Sequence, residues 1–344
     1  MPITIRSANL ESDRSALIAL LDRNLPRTTD DHVFDWLYRQ NPHGPARVWV
    51  AVDGTSHAVV GAAAAFPRRM YHADREMLAW VLGDFCFDAA YRSLGPAIAL
   101  QRTMLDALGA ADGTFCYDFP SRSMLAVYAR LGMKELDQMQ RLVQLVRVNG
   151  KLAEALGDRW IVPVLAAPAN LVLRALRSTR PRGGPKLVVA PQVEPCGDDF
   201  TVLARRVGAQ GGACVQRSAE YLTWRYLRNP LVRCEMFTAR AGGALCGYAV
   251  LACEGDRATL LDLFGLDDAG ARAALVDRVT RVAAARGVST LSAPVVASHP
   301  SRPLLERLGF VRRECQPVMA CGPGVSAPGP GTARWLFYQG DRDS

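Results

Sequence analysis

Apolar positions along the chain fall into alternating stretches of helical and strand period. Residues 13–23 place Leu17, Ile18, Leu20 and Leu21 on one side, the spacing of an amphipathic helix. A second helix is expected after Asp30, which suits a helix cap, and it should stop at Asn41-Pro42 because residues before proline leave the α region. β-Rich runs at 47–52, 57–68 and 76–88 predict strands. Helix 96–108, strand 113–119, helix 123–131 and strand 134–148 follow. After residue 195 the order resumes. Helices are expected at 200–207 and 218–227, and strands at 235–240, 244–254 and 258–265. Helix 271–286, strand 289–295, helix 301–308, strand 311–320 and a last strand at 335–339 complete the pattern.

The resumption is a repeat. Trp36, Tyr38, Asn41 and Pro42 recur as Trp224, Tyr226, Asn229 and Pro230, and each set precedes a β-rich run. Each half closes on a helix ending in Leu-Gly and an apolar residue, Leu131-Gly132-Met133 and Leu308-Gly309-Phe310. A unit of this size is a duplicated domain and not a solenoid repeat. The expected division is a first domain at 1–148, an apolar helical insert and linker at 149–195, and a second domain at 196–344. Within the insert, the apolar stretch 160–176 is broken by Pro163, Pro168, Asn170 and Arg174. It reads as an amphipathic helix packed on a domain or between the domains and not as a membrane span.

Charge and cysteine content narrow the classes. A net charge of +8 without a long Lys/Arg run suits an anionic ligand or an acidic partner, and nucleic acid is not expected. Nine cysteines with no Cys-x-x-Cys pair read as reduced thiols of a cytoplasmic protein, with no metal. The start of the chain shows no basic-then-apolar signal peptide. Asp341 and Asp343 near the end, read as a frayed terminus, make a poor metal site.

Chemistry concentrates in residues 82–97. A strand leads through Asp84, Phe85, Phe87 and Asp88 into Arg92-Ser93-Leu94-Gly95-Pro96-Ala97, which opens a helix. Gly95 admits close approach of a ligand, and the orphan N–H groups and positive dipole end form a seat for a pyrophosphate. Pro96 at the first helical position gives up an N–H that the helix does not use.

Here the chain resembles the Gcn5-related N-acetyltransferase (GNAT) superfamily. The family's coenzyme A loop is Arg/Gln-x-x-Gly-x-Gly/Ala, matched at Arg92, Gly95 and Ala97, and its Tyr-x-x-x-Gly-Phe landmark is matched at Tyr128, Gly132 and Met133. The resemblance covers residues 1–148 in element order and the second half more loosely. It implies an α/β fold, an α+β mixed sheet with two GNAT-like domains in tandem, the second degenerate.

The resemblance also assigns roles. Phe85 and Phe87 bind the pantetheine arm through their main chain, and Arg92, Ser93, Leu94, Gly95 and Ala97 hold the phosphates. Tyr128 protonates the leaving thiolate. Asp84, in preference to Asp88, assists deprotonation of the acceptor amine, and Trp36 and Tyr38 line the acceptor site. Two departures stand out: Pro96 removes one N–H near the phosphates, and Ser121 or Ser123 replaces the Asn common at the start of the last helix. In the second half the matching loop carries Asp267 and Asp268 and no Arg, and Leu305 takes the place of the tyrosine. Those carboxylates repel a pyrophosphate.

The expected activity is acyl-CoA-dependent N-acyl transfer, most simply of acetyl from acetyl-CoA, to the amine of a small molecule or biosynthetic intermediate. An acyl carrier protein is an alternative donor. Two other readings stay open: a Fem-like aminoacyl transferase using tRNA, and a non-catalytic CoA-sensing or scaffold module.

Overall fold

The computed structural model describes residues 3–72, 75–109, 114–148, 187–322 and 334–342. The stretch 160–176, expected to pack between the halves, lies outside the described residues.

The first half contributes β1 (Ile3–Ser7), β2 (Arg47–Asp53), β3 (Val59–His72), β4 (Arg75–Phe87), β5 (Phe115–Asp118) and β6 (Lys134–Leu145). The second contributes β7 (Leu187–Gln192), β8 (Gly212–Val215), β9 (Cys234–Ala241), β10 (Ala244–Glu254), β11 (Arg257–Gly265), β12 (Thr290–Val296), β13 (Val311–Cys321) and the short β14 (Arg334–Trp335). One mixed sheet runs through both halves in the order β1-β2-β3-β4-β5-β13-β6-β12-β11-β10-β9-β7. The halves exchange their last strands: β13 lies between β5 and β6, while β6 pairs with β12.

Helices cover both faces, which explains strands as continuously apolar as Ala62–Phe66 in β3. On one face lie α1 (Arg14–Asn24), α2 (Asp31–Phe34), α5 (Asp198–Gly208) and α6 (Ala219–Leu222). Their Leu17, Leu20, Phe34, Phe200, Leu203 and Leu222 share one core with Phe66 of the first half and Tyr248 of the second. On the other face each half has its own core. In the first half α3 (Leu94–Ala107) and α4 (Arg122–Arg130) bring Leu100, Met104, Val127 and Tyr128 onto Trp80 and Leu82. In the second, α7 (Ala269–Ala285) and α8 (Arg302–Arg307) do the same with Leu275, Val276 and Leu305.

The repeat is visible in detail. Asp30 caps α2 by accepting from the Val33 amide at 2.8 Å, and Ser218 caps α6 by accepting from the Tyr221 amide at 3.2 Å. Each helix then widens into a π-helical turn, Asp35–Arg39 and Thr223–Leu227, carrying the repeated Trp and Tyr. Trp36 and Trp224 stack at 5.0 Å and exchange hydrogen bonds. Trp36 Nε1 donates to the Trp224 carbonyl at 3.1 Å, and Trp224 Nε1 donates to the Trp36 carbonyl at 2.9 Å. This reciprocity marks the local twofold relation between the halves. Among the described residues, no helix is long and apolar enough to cross a membrane.

Candidate active site

Strand β4 pairs in parallel with β5 only from Ala79 to Val81, after which the two strands part. A bulge deepens the break. Ala62 pairs with Cys86 and Ala64 with Gly83, so Asp84 and Phe85 share one opposing position, and Asp84 takes a positive φ of 48°. Backbone held in that region by a non-glycine residue is characteristic of sites under functional constraint.

A cavity of about 490 Å³ opens where the strands part. Phe85, Cys86 and Phe87 of β4 line it, with Arg92, Ser93, Leu94 and Ala97 at the start of α3, and Ser121, Ser123, Met124 and Val127 at the start of α4. Asn24 at the end of α1 completes the wall. Phe87 is held there by Gly61, where a Cβ would come within 2.4 Å of its ring. Six of the seven expected coenzyme-binding residues, Phe85, Phe87, Arg92, Ser93, Leu94 and Ala97, thus meet at one cavity. Gly95 is exposed beside it, with nothing within 4 Å of an added Cβ.

The helix starts two residues earlier than expected. Ser93 is the cap, Gly95 the second helical residue and Pro96 the third. No side chain caps this end, so the first amides of α3 remain available beside the cavity. Arg92 donates through Nε to the Phe87 carbonyl at 2.9 Å and through Nη2 to Asn24 Oδ1 at 2.8 Å, which fixes its charge at the cavity wall.

The second half builds this end of its helix differently. Asp268 accepts from the amides of Gly270 at 2.8 Å and Ala271 at 3.1 Å, so a carboxylate of the chain itself fills the anion seat of α7. Arg272 forms an ion pair with Asp267 at 2.5 Å. Leu305 is fully buried in the core.

Tyr128 does not line the cavity. Its ring is 1% exposed, and its hydroxyl donates to Asp118 Oδ2 at 2.5 Å. Gln101 Nε2 donates to the same hydroxyl at 3.4 Å. Burial, then the Asp118 charge, pushes the Tyr128 pKa well up, and burial pushes Asp118 up to about 6.

Asp84 is also buried, on the opposite face of the sheet from Tyr128. Its Oδ2 accepts from the Tyr38 hydroxyl at 2.6 Å and pairs with Arg27, while Oδ1 is buried without a hydrogen-bond partner among the described residues. Asp88 is held by Arg23 at 2.7 Å and by Asn24 at 2.8 Å, and the Arg23 bond sets its pKa below the usual carboxylate value. Tyr38 thus reaches Asp84, whereas Trp36, expected to line an acceptor site, packs on Trp224 at the junction of the halves. Sequence reasoning missed Asn24, Arg27 and Asp118. For Asp118 a signal existed, a carboxylate ending a strand ahead of the Tyr128 helix. Asn24 and Arg27 meet β4 only through tertiary packing. Asp341 is corrected as well: it is 1% exposed and ion-paired with Arg217 at 2.9 Å, not frayed.

No protein-family model and no curated protein sequence matches the chain. Solved structures do. A GCN5-related N-acetyltransferase from Anabaena variabilis aligns over 93% of this chain and 72% of its own, at TM-score 0.65 and 13% identity. The chain has the GNAT fold. A GCN5-related N-acetyltransferase from Kribbella flavida aligns over 92% of this chain and 71% of its own, at TM-score 0.60 and 15% identity. Saccharomyces cerevisiae N-myristoyltransferase, solved with bound myristoyl-CoA, aligns over 98% and 90%, at TM-score 0.57 and 10% identity. The GNAT fold therefore extends over both halves of the chain, and at these identities the likeness concerns fold alone.

Proposed function

We propose that this chain is an N-acyltransferase that moves an acyl group, most simply acetyl, from coenzyme A to the amine of a small molecule or biosynthetic intermediate. The observation that carries this reading is the contrast between the two helix starts. The uncapped end of α3 faces a cavity between parted strands, while the end of α7 is closed by Asp268. The pantetheine arm adds along β4 at Phe85 and Phe87, as a peptide adds to a strand edge. The pyrophosphate sits at Gly95 to Ala97, with Arg92 beside it. The amine attacks the thioester carbonyl from the side of Asp84 and Tyr38, and a β4 amide meets the developing oxyanion. Asp84 takes the amine proton through water. Tyr128, once released from Asp118, returns a proton to the departing thiolate. The halves derive from a duplication, and the first keeps the chemistry.

Thermal shift and calorimetry with acetyl-CoA and CoA test the donor site on the wild type and Gly95→Glu. The space around Gly95 is open, so the glutamate acts by charge and not by clash. Ligand at a hundredfold excess over Kd stabilises by about 2.7 kcal/mol, and the variant should lose that gain. An equal gain in both proteins would remove the pyrophosphate from this loop.

A further inference from the structure

We propose that the second half binds a small oxyanion, a carboxylate or phosphate group on a compact organic molecule, in a cavity of its own. The cavity, about 600 Å³, lies between the end of β11, the start of α7 and the approach to α8. These elements repeat those of the first-half cavity, yet the chemistry differs. With Asp268 on the α7 amides, the place a pyrophosphate would use is taken. The wall nevertheless carries a buried donor, Arg272 Nε, that nothing among the described residues satisfies.

Arg272 lines the cavity with its side chain 11% exposed. One nitrogen, Nη2, is engaged by Asp267, while Nε is buried without a hydrogen-bond partner among the described residues. His299 is 5% exposed. Its Nδ1 accepts from the Ser301 amide at 2.9 Å, which leaves the proton on Nε2, and that N–H has no acceptor among the described residues. Burial, with the charges of Arg217 and Arg272, holds the imidazole pKa down to about 3, so it stays a neutral donor. Arg334, exposed, adds a second cation to the lining.

A buried donor lacking an acceptor destabilises a fold, and Arg272 Nε beside this cavity, with the His299 N–H on its wall, calls for an acceptor inside it. The charges select an anion. Arg272 and Arg334 are opposed in the lining by Asp267, whose side chain is 80% exposed and therefore well screened. Phe264 and Leu336 provide an apolar wall for the rest of the molecule. This inference stands apart from the donor reading, because it concerns the other half and another ligand.

The test titrates full-length protein carrying Gly95→Glu, which removes the first-half anion seat, with inorganic phosphate and separately with benzoate, by calorimetry. Saturable binding of either probe is expected, and the one that binds tells phosphate from carboxylate. Arg272→Gln should weaken it at least tenfold. Asp267→Asn should strengthen it, because the competing carboxylate is gone while the exposed position leaves folding unaffected. A merely structural Arg272–Asp267 pair predicts no gain from Asp267→Asn. Absence of saturable binding by both probes, or equal affinity in wild-type and Arg272→Gln backgrounds, would overturn the proposal.

Discussion

Replacing Asp118 by Asn should stabilise the protein at neutral and alkaline pH and cease to do so in acid. The Asp118 carboxyl is buried beneath α4, and burial raises its pKa from 3.8 to about 6. A raised carboxyl pKa means that the folded state holds the proton more tightly than the unfolded chain. Stability is then full below the unfolded value and falls as pH rises through the folded one. The shift of about 2 units corresponds to roughly 3 kcal/mol of penalty on the ionised form. Asn carries no such penalty, and its Oδ1 still accepts from Tyr128. It cannot also serve the Phe119 amide, which Asp118 Oδ1 accepts at 2.7 Å, and that loss costs about 1 kcal/mol. The net gain is therefore about 2 kcal/mol near pH 8 and vanishes by about pH 4. Urea unfolding of both proteins at the two pH values measures it. Asp341, also raised to about 6, titrates in both proteins and cancels in the difference. A stability difference that does not change with pH would refute the argument, since it would mean that Asp118 is not held above its free value.

Tyr128→Phe should lower turnover at saturating acyl-CoA by roughly 10²- to 10⁴-fold with donor affinity retained, and an unchanged rate would make Tyr128 a packing residue only. Trp36→Phe should cost about 1–3 kcal/mol in urea unfolding, because the buried Trp224 carbonyl loses its donor. In a double-mutant cycle with Trp224→Phe, the pair should couple by about 0.5–1.5 kcal/mol. Residues 1–148 expressed alone should be aggregated or insoluble by size-exclusion chromatography, since β6 loses both its neighbours, β13 and β12.

Local signals in the sequence reached a good part of this fold. Asp30 as a cap, the Trp/Tyr/Asn-Pro repeat and the strand-loop-helix around Gly95 all depend on residues close in the chain, and each corresponds to a structural feature. Long-range pairing had no such signal. Nothing in the residues of β13 states that it lies between β5 and β6, because a strand's partner is chosen by the whole sheet. The same holds for Trp36, whose aromatic character suits a ligand wall as well as a packing partner. Tyr128 was legible as a buried-face helix residue, but its hydroxyl's partner was not, since Asp118 meets it only once β5 and α4 pack. The closing residues read as a loose end, yet Arg217 draws Asp341 inward from 124 positions away.

The two halves carry one polar constellation in two states, and the difference bears on where the proposed chemistry would reside. In the second half Asp262 is fully buried and accepts from Arg217 Nε at 2.9 Å, Tyr226 at 3.1 Å and Tyr248 at 2.9 Å, while Asp341 takes the remaining charge of Arg217. A network closed in this way fixes a core and offers no oxygen to a substrate. In the first half the same strand position holds Asp84, with Tyr38 and Arg27 in place of Tyr226 and Arg217. No second carboxylate or second tyrosine joins it among the described residues. One oxygen stays without a hydrogen bond, on a residue whose backbone is held at positive φ. An unsatisfied buried carboxylate oxygen and a strained bulge both cost stability, and the second half, free of both at Asp262, shows that the fold does not require them. Their presence beside Cys86, on the wall of the uncapped α3 cavity, supports the proposal that the acceptor chemistry belongs to the first half.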